Sequence, residues 1–291
     1  MISVRAPATS ANLGSGFDVF GVALDRPADV VRVERADETT IDVTGAGAQY
    51  IPEDPGKNTA GVVARELDAP AHIHIDKGVR PSSGLGSSAA SAAAATVALA
   101  DLYDRDLTDE ALVRVAAEGE AAVSGDAHAD NVAPAILGGF TIVREDGVEC
   151  VDADLALAVC LPDIVVSTRD ARGVVPESAA MADLVDTVGS AATLTLGMCR
   201  GDPEQVGRGV EEHLVTPARA ALVDGYDAAC DAARAAGATG VTVSGSGPGV
   251  LAVCRRADRK QVAAALVDGF EDAGVDATAY PTEVGDGATF V

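Results

Sequence analysis

The sequence predicts an α+β protein of two domains. First, the chain has 291 residues with a hydrophobic fraction of 48%, which is more than one small core needs and comfortable for two. Second, the order of elements after about residue 153 is strand, helices, strand, strand, helix, strand, the pattern of a split βαβ layer. Third, the first half mixes alternating strand segments with a long Ala-rich segment of strong helix formers.

Taken in order, residues 2–35 read as short strands separated by the polar loop ATSANLGSGFD. Asn58 caps a helix running through Leu67, and His72, Ile73, His74 and Ile75 alternate as a strand. The small-residue stretch PSSGLGSSAAS, Pro81 to Ser91, opens into a helix. Thr108 with Asp109 and Glu110 starts another running toward Glu120, and Gly138 to Glu145 reads as a strand. In the second half Leu155–Leu161 is a strand, followed by helical stretches at Glu177–Arg200, Pro203–Glu212 and Pro217–Ala236. Val241–Ser244 and Val250–Cys254 are short strands around a glycine turn, Ala257–Ala273 is a helix and Asp276–Tyr280 a strand. The expected domains are 1–153 and 154–291.

Composition excludes several classes. No apolar run reaches the ~18 residues of a membrane span, and MISVRAPATS lacks the apolar core of a signal peptide. A soluble cytoplasmic protein that engages no membrane is the expectation. The five cysteines are scattered with no CxxC, which argues against a disulfide framework and against zinc. The net charge is −24 with only three lysines, Lys57, Lys77 and Lys260, so no basic face for nucleic acid is visible. Acid spread along the whole chain suits a salt-rich cytoplasm where screening is severe, and a halophilic source is expected.

The stretch from Pro81 to Ser91 carries the chemistry: Pro81, Ser82, Ser83, Gly84, Leu85, Gly86, Ser87, Ser88, Ala89, Ala90 and Ser91. Small residues running into a helix start let backbone N–H groups approach a phosphate, and the first helical turn adds unpaired donors. The chain has no GxxxxGK[ST] segment. Gly84 to Ala89 fits GxGxxA, but Asp101 and Asp104 lie at the end of the same helix rather than after a second strand, which disfavours a dinucleotide site. With no loop lysine, charge on a terminal phosphate needs another partner. Mg²⁺ is the usual one, held by a hydroxyl and a carboxylate; Ser88 and Glu120 are the candidates.

Two further clusters stand out. Ser124, Asp126, His128, Asp130 and Asn131 form a polar group just before VAPAILGGF, and polar residues next to an apolar run are costly unless paired, which favours a site. SGSGPG, Ser244 to Gly249, reads as a glycine hairpin or as a second wall where a ligand nears backbone. Arg172, read as lying in a loop, and Arg219, read at a helix start after Pro217, could each grip a carboxylate with two hydrogen bonds, although neither is selected by spacing alone.

Three of these clusters together resemble the GHMP kinases, the small-molecule kinases named for galactokinase, homoserine kinase, mevalonate kinase and phosphomevalonate kinase. The carriers are RAPATSANLGSGFDVFGVAL (Arg5 to Leu24), PSSGLGSSA and VSGSGPG, in order and spanning nearly the whole chain. SANLGSGFDVFG and HADNVAPAILGGF resemble the branch that acts on homoserine. The resemblance implies an N-terminal domain like the second domain of ribosomal protein S5 joined to a ferredoxin-like C-terminal domain, with the active site between them. It implies ATP and Mg²⁺ as cosubstrate and metal, L-homoserine as acceptor, O-phosphohomoserine for threonine synthesis as product, and a homodimer. It also implies roles. Asn12 and Asp18 would contact the amino acid, Asp18 through the ammonium group. Arg172 and Arg219 would hold the carboxylate, and His128, Asp130 and Asn131 would line the acceptor end. Asp130 or Asn131, with Arg172, would serve the transfer itself, Ser88 and Glu120 would hold Mg²⁺, and Pro81 to Ser91 would wrap the ATP phosphates. The rivals are a related kinase with a different alcohol acceptor and a non-catalytic sensor on the same fold.

Overall fold

The computed structural model describes residues 1–125 and 129–291, with the side chains of Val123 and Ser124 also left aside. Asp126 and His128 therefore lie outside the described residues.

The first sheet starts with two long strands, β1 (Ile2–Ala11) and β2 (Phe20–Arg35), rather than the short ones expected. They pair antiparallel, with a register shift between Pro7 and Thr9. β3 (Thr40–Gly45) and β4 (Ala71–Lys77) are parallel to each other, and β4 pairs with β2. β5 (Phe140–Arg144) and β6 (Gly147–Val151) form a hairpin against the start of β2.

Helices α1 (Thr59–Glu66), α2 (Ser87–Leu102), α3 (Asp109–Ser124) and α4 (Ala129–Leu137) cover this sheet. Asn58 and Thr108 cap α1 and α3 as the sequence suggests. α2 is small and apolar on nearly all sides, so it is buried on nearly all sides. Its alanines let α1, α3, α4 and the sheet approach closely.

The second sheet has the order β10-β7-β9-β8, built from β7 (Ala156–Pro162), β8 (Ala238–Val243), β9 (Val250–Cys254) and β10 (Ala277–Glu283). In chain order that is 4-1-3-2, as a split βαβ layer requires. Side chains alternate across the sheet. Ala156, Ala158 and Cys160 face α9 (Tyr226–Ala235) and α10 (Arg259–Asp272). Leu157, Val159 and Leu161 face α6 (Met181–Arg200) and α7 (Pro203–Gly209). That second core also takes in Leu13, Phe20, Val22, Leu24, Phe140, Val79 and Leu85, so the two sheets share one apolar layer. The chain end returns to the first sheet, where β11 (Thr289–Phe290) pairs with β1.

Three expectations need correction. The helix expected over Pro217–Ala236 is two helices, α8 (Val215–Ala220) and α9, because Gly225 turns the chain at φ +84. Arg219 sits in the last turn of α8, not at a helix start. Arg172 lies in a short helix, α5 (Thr168–Gly173), not in a loop, because the Ser167 side chain accepts from the Asp170 N–H at 3.0 Å and nucleates a turn.

Candidate active site

A cleft of about 310 Å³ lies where the two sheets meet. One wall is the small-residue loop between β4 and α2. Pro81, Ser82, Ser83, Gly84, Gly86, Ser87, Ser88 and Ser91 line the cleft. Leu85, Ala89 and Ala90 do not; all three are fully buried in the two cores. Gly86 supplies the left-handed turn, φ +60, that lets α2 begin at the cleft. The open start of α2 thus points donors and a partial positive charge into the cavity.

The glycine turn after β8 seals this loop from the other sheet. Ser244 Oγ donates to Gly84 O at 2.8 Å, and Gly249 N–H donates to Ser83 O at 3.1 Å. A Cβ on Gly84 would stand 2.5 Å from Ser244 O. The glycines on both sides therefore let two backbones meet, and Gly245 and Ser246 reach the cavity wall.

Ser88 and Glu120 are brought together. Ser88 Oγ donates to Glu120 Oε1 at 2.7 Å, and both residues line the cleft. Glu120 is buried in α3, and that burial pushes its carboxyl up to about 7, with negative Asp130 adding to the rise and the Ser88 hydrogen bond opposing it. A hydroxyl and a buried carboxylate form a hard oxygen pair that suits Mg²⁺ completed by phosphate oxygens and water. Among the described residues no group of three or more His, Cys, Asp or Glu could hold a metal alone.

On the opposite side stand the residues proposed for the acceptor. Asn12 donates through Nδ2 to Gly245 O at 3.0 Å and accepts at Oδ1 from the Asp18 N–H at 3.0 Å. Asn12 at φ 70 and Asp18 at φ 56 both hold left-handed backbone, a conformation Asn and Asp tolerate better than most residues. Arg172 Nη1 lies 2.6 Å from Asp18 Oδ2. Arg219 is buried, donates to Gly245 O at 2.6 Å and stands over the Phe17 ring at 5.0 Å, with Arg172 over the same ring at 5.4 Å. Burial lowers the Arg219 pKa, with Asp18 opposing that shift. Between the two ends, Asp130 and Asn131 open α4. Thr9 Oγ1 donates to Asn131 Oδ1 at 2.9 Å, and Asp130 is buried. Asn12, Asp18, Ser88, Glu120, Asp130, Asn131, Arg172 and Arg219 thus line one cavity together with the loop, while His128 is outside the described residues.

Sequence reasoning missed several lining residues: Tyr50, Ile51, Pro52, Lys57 and Asn58 at the loop end, Thr168 beside Arg172, and Lys77 under the loop. Lys77 carried a signal, being one of three lysines in the chain. Glu212 was missed too. Its buried carboxylate accepts from the N–H groups of Leu214, Val215 and Thr216, which fixes the start of α8 and so aims Arg219.

The family models for the N-terminal and C-terminal domains of GHMP kinases match residues 57–139 and 194–272. The chain is 80% identical to a homoserine kinase of Halobacterium salinarum, over 99% of this chain and 96% of that relative. The chain belongs to the homoserine kinases of the GHMP family. A homoserine kinase of Natronomonas pharaonis is 68% identical over 99% of both chains. The crystal structure of homoserine kinase from Cytophaga hutchinsonii superposes with a TM-score of 0.90 at 34% identity, covering 100% of this chain and 97% of that one. The fold is therefore the α+β GHMP kinase fold. L. major mevalonate kinase in complex with R-mevalonate shares that fold at a TM-score of 0.75 and 18% identity, over 97% and 95% of the two chains. Within this homoserine kinase the three sequence motifs converge on one cleft. No helix among the described residues is long and apolar enough to cross a membrane.

Proposed function

We propose that the cleft transfers the γ-phosphoryl group of ATP to the side-chain hydroxyl of L-homoserine, the step that yields O-phospho-L-homoserine for threonine synthesis. Homoserine kinase activity follows from membership of the family; the assignment of atoms to tasks is the proposal. The observation that carries it is the Asp18–Arg172 ion pair beside buried Arg219, facing the phosphate loop across one cavity. An α-amino acid carries an ammonium and a carboxylate on one carbon. It can slip between Asp18 and Arg172, giving each a new opposite charge, while Arg219 supplies further donors to the carboxylate. An alcohol without both charges would break the pair without replacing it, which disfavours other acceptors.

The loop and the start of α2 hold the triphosphate through backbone and serine donors. Tyr50, Ile51 and Pro52 offer the less polar surface suited to the base. Ser88 and Glu120 would hold Mg²⁺, which neutralises phosphate charge when bound. Asn131, held by Thr9, orients the acceptor hydroxyl, and Asp130 stands by to take its proton. The transition state is loose, so alignment and neutralisation carry most of the acceleration and little base strength is needed.

The chain divides near residue 153 in this reading, into an ATP-binding part at 1–153 and a second part at 154–291 whose last residues rejoin the first. The strongly acidic composition, with relatives named from Halobacterium salinarum and Natronomonas pharaonis, supports a salt-adapted cytoplasmic enzyme. A homodimer completes the reading, and sedimentation would test it. The deciding experiment is coupled ADP release with homoserine, Mg²⁺ and ATP in high and low KCl. Turnover with homoserine and none with galactose or mevalonate supports the reading; equal turnover with a non-amino-acid alcohol refutes it.

A further inference from the structure

Asp29 lies in the middle of β2, is fully buried, and takes no part in the chemistry described above. Its carboxylate is nonetheless the most heavily used acceptor under the phosphate loop. Oδ1 accepts from the N–H groups of Gly78 and Val79, each at 3.0 Å, which are the first two residues after β4. Oδ2 accepts from Ser91 Oγ at 2.8 Å and from the Lys77 ammonium. Lys77 Nζ donates in addition to Ser87 O at 2.7 Å and Ser91 Oγ at 2.9 Å, so each of its three hydrogens has an acceptor. Ser87 Oγ closes the ring by donating to Val79 O at 2.8 Å. The loop from Arg80 to Gly86 enters through Lys77, Gly78 and Val79 and leaves through Ser87 and Ser91. One carboxylate–ammonium pair ties entry to exit.

We infer that Asp29 and Lys77 are positioning residues that set the mouth of the phosphate loop, and that Lys77 acts as part of this clamp rather than as the loop's phosphate cation. Two physical points carry the inference. A buried ion pair is retained only where geometry and extra hydrogen bonds compensate its desolvation, and here every partner belongs to the two ends of one loop. An ammonium whose three hydrogens are engaged by a carboxylate, a carbonyl and a hydroxyl, and whose charge is matched by that carboxylate, has no donor left for a phosphate oxygen without giving up one of these three clamp contacts. This clamp is the counterpart of what a lysine inside the loop would otherwise do: it shapes the backbone donors instead of supplying the charge.

The inference rests on the loop being the ATP site, and the test separates the two. Hydrogen exchange on the full chain, with and without ATP and Mg²⁺, reads the ATP site directly; absence of nucleotide protection at residues 81–91 in the unaltered enzyme refutes that site and leaves the clamp to be judged on its own readouts. For the clamp, Asp29→Asn, Lys77→Met and the double variant are compared with Ser91→Ala, the mildest change. Faster exchange at the Gly78 and Val79 amides and a KM for ATP raised about tenfold or more, with the homoserine KM within about twofold, is expected for Asp29→Asn, in line with the loss of one or two hydrogen bonds to a charged group. The double variant should be less impaired than the product of the two single effects, because it leaves no unpaired charge. A Lys77→Met variant that raises the ATP KM while Asp29→Asn leaves both KM and exchange unchanged overturns the clamp and makes Lys77 a direct ligand. If Asp29→Asn fails to fold, Ser91→Ala decides by the same readouts: unchanged ATP KM and unchanged exchange at Gly78 and Val79 overturn it.

Discussion

Replacing Glu120 by Gln tests the proposed metal site without relying on activity. Burial pushes this carboxyl from its ordinary 4.5 to about 7 in the metal-free fold. The unfolded chain therefore releases the proton near its ordinary value, while the folded chain keeps it until about pH 7. Between these values the folded state binds more protons, so stability falls as pH rises. Integrating that difference from about pH 5 to about pH 8 gives roughly 2–3 kcal/mol of stability lost to this one group. Glu120→Gln keeps the size and can still pair with Ser88, but it does not titrate. In high KCl with a chelator present, urea unfolding of the two proteins at pH 5 and pH 8 should show the variant gaining on the native chain by that amount at the higher pH. Mg²⁺ with ADP should narrow the gap at pH 8, because it stabilises the ionised form of Glu120 and cannot do so for Gln. Stability curves that stay parallel across the whole pH range would refute the reasoning, since Glu120 would then be ionised or exposed in the fold.

Arg219→Ala should raise the homoserine KM by about 10- to 100-fold, as expected for losing hydrogen bonds from a charged group, and leave the ATP KM nearly unchanged; steady-state kinetics with each substrate varied checks this. Asp130→Asn should keep turnover within about tenfold of the native enzyme, because a loose transition state needs little base strength; a loss of about 100-fold or more would assign an obligatory base instead. Gly84→Ala should cost about 1–3 kcal/mol in urea unfolding and weaken ATP binding in parallel, because its left-handed backbone and the nearby Ser244 carbonyl leave no room for a Cβ.

The sequence was legible where the interaction is local. Asn58 and Thr108 cap their helices within three residues, and the loop and the start of α2 are one continuous stretch. The strands of the second sheet announce themselves by alternation, with Leu157, Val159 and Leu161 facing one core and Ala156, Ala158 and Cys160 the other. Two departures from the expected elements also have local signals: Ser167 followed three residues later by Asp170 is a helix start, and Asp224-Gly225 is a turn pair within the stretch Pro217–Ala236. The remainder depends on distant partners. Asp18 and Arg172 stand 154 positions apart, and Asp29 and Lys77 stand 48 apart. No window along the chain can show that these charges cancel in pairs, and so none shows which cations remain available to a ligand.

That pairing has a consequence for salt. The chain carries −24 overall, and in the cleft Arg172 is matched by Asp18, Lys77 by Asp29 and Lys57 by Asp54, while Arg219 stands in the field of the carboxylates of Asp18, Asp130 and Glu212. The approach of ATP with Mg²⁺, still negative, is therefore opposed by the long-range field of the protein, and the cleft offsets little of that field. Salt shortens the reach of the repulsion from about 30 Å at 0.01 M to about 3 Å at 1 M. Homoserine, a zwitterion, feels no net force of this kind. Raising KCl over a range in which urea and heat show the chain to be folded should thus lower the KM for ATP while leaving the homoserine KM nearly flat. A fold that merely tightened with salt would improve both constants together. Parallel changes in the two KM values would assign the salt response to folding; divergence assigns part of that response to substrate approach across an acidic surface.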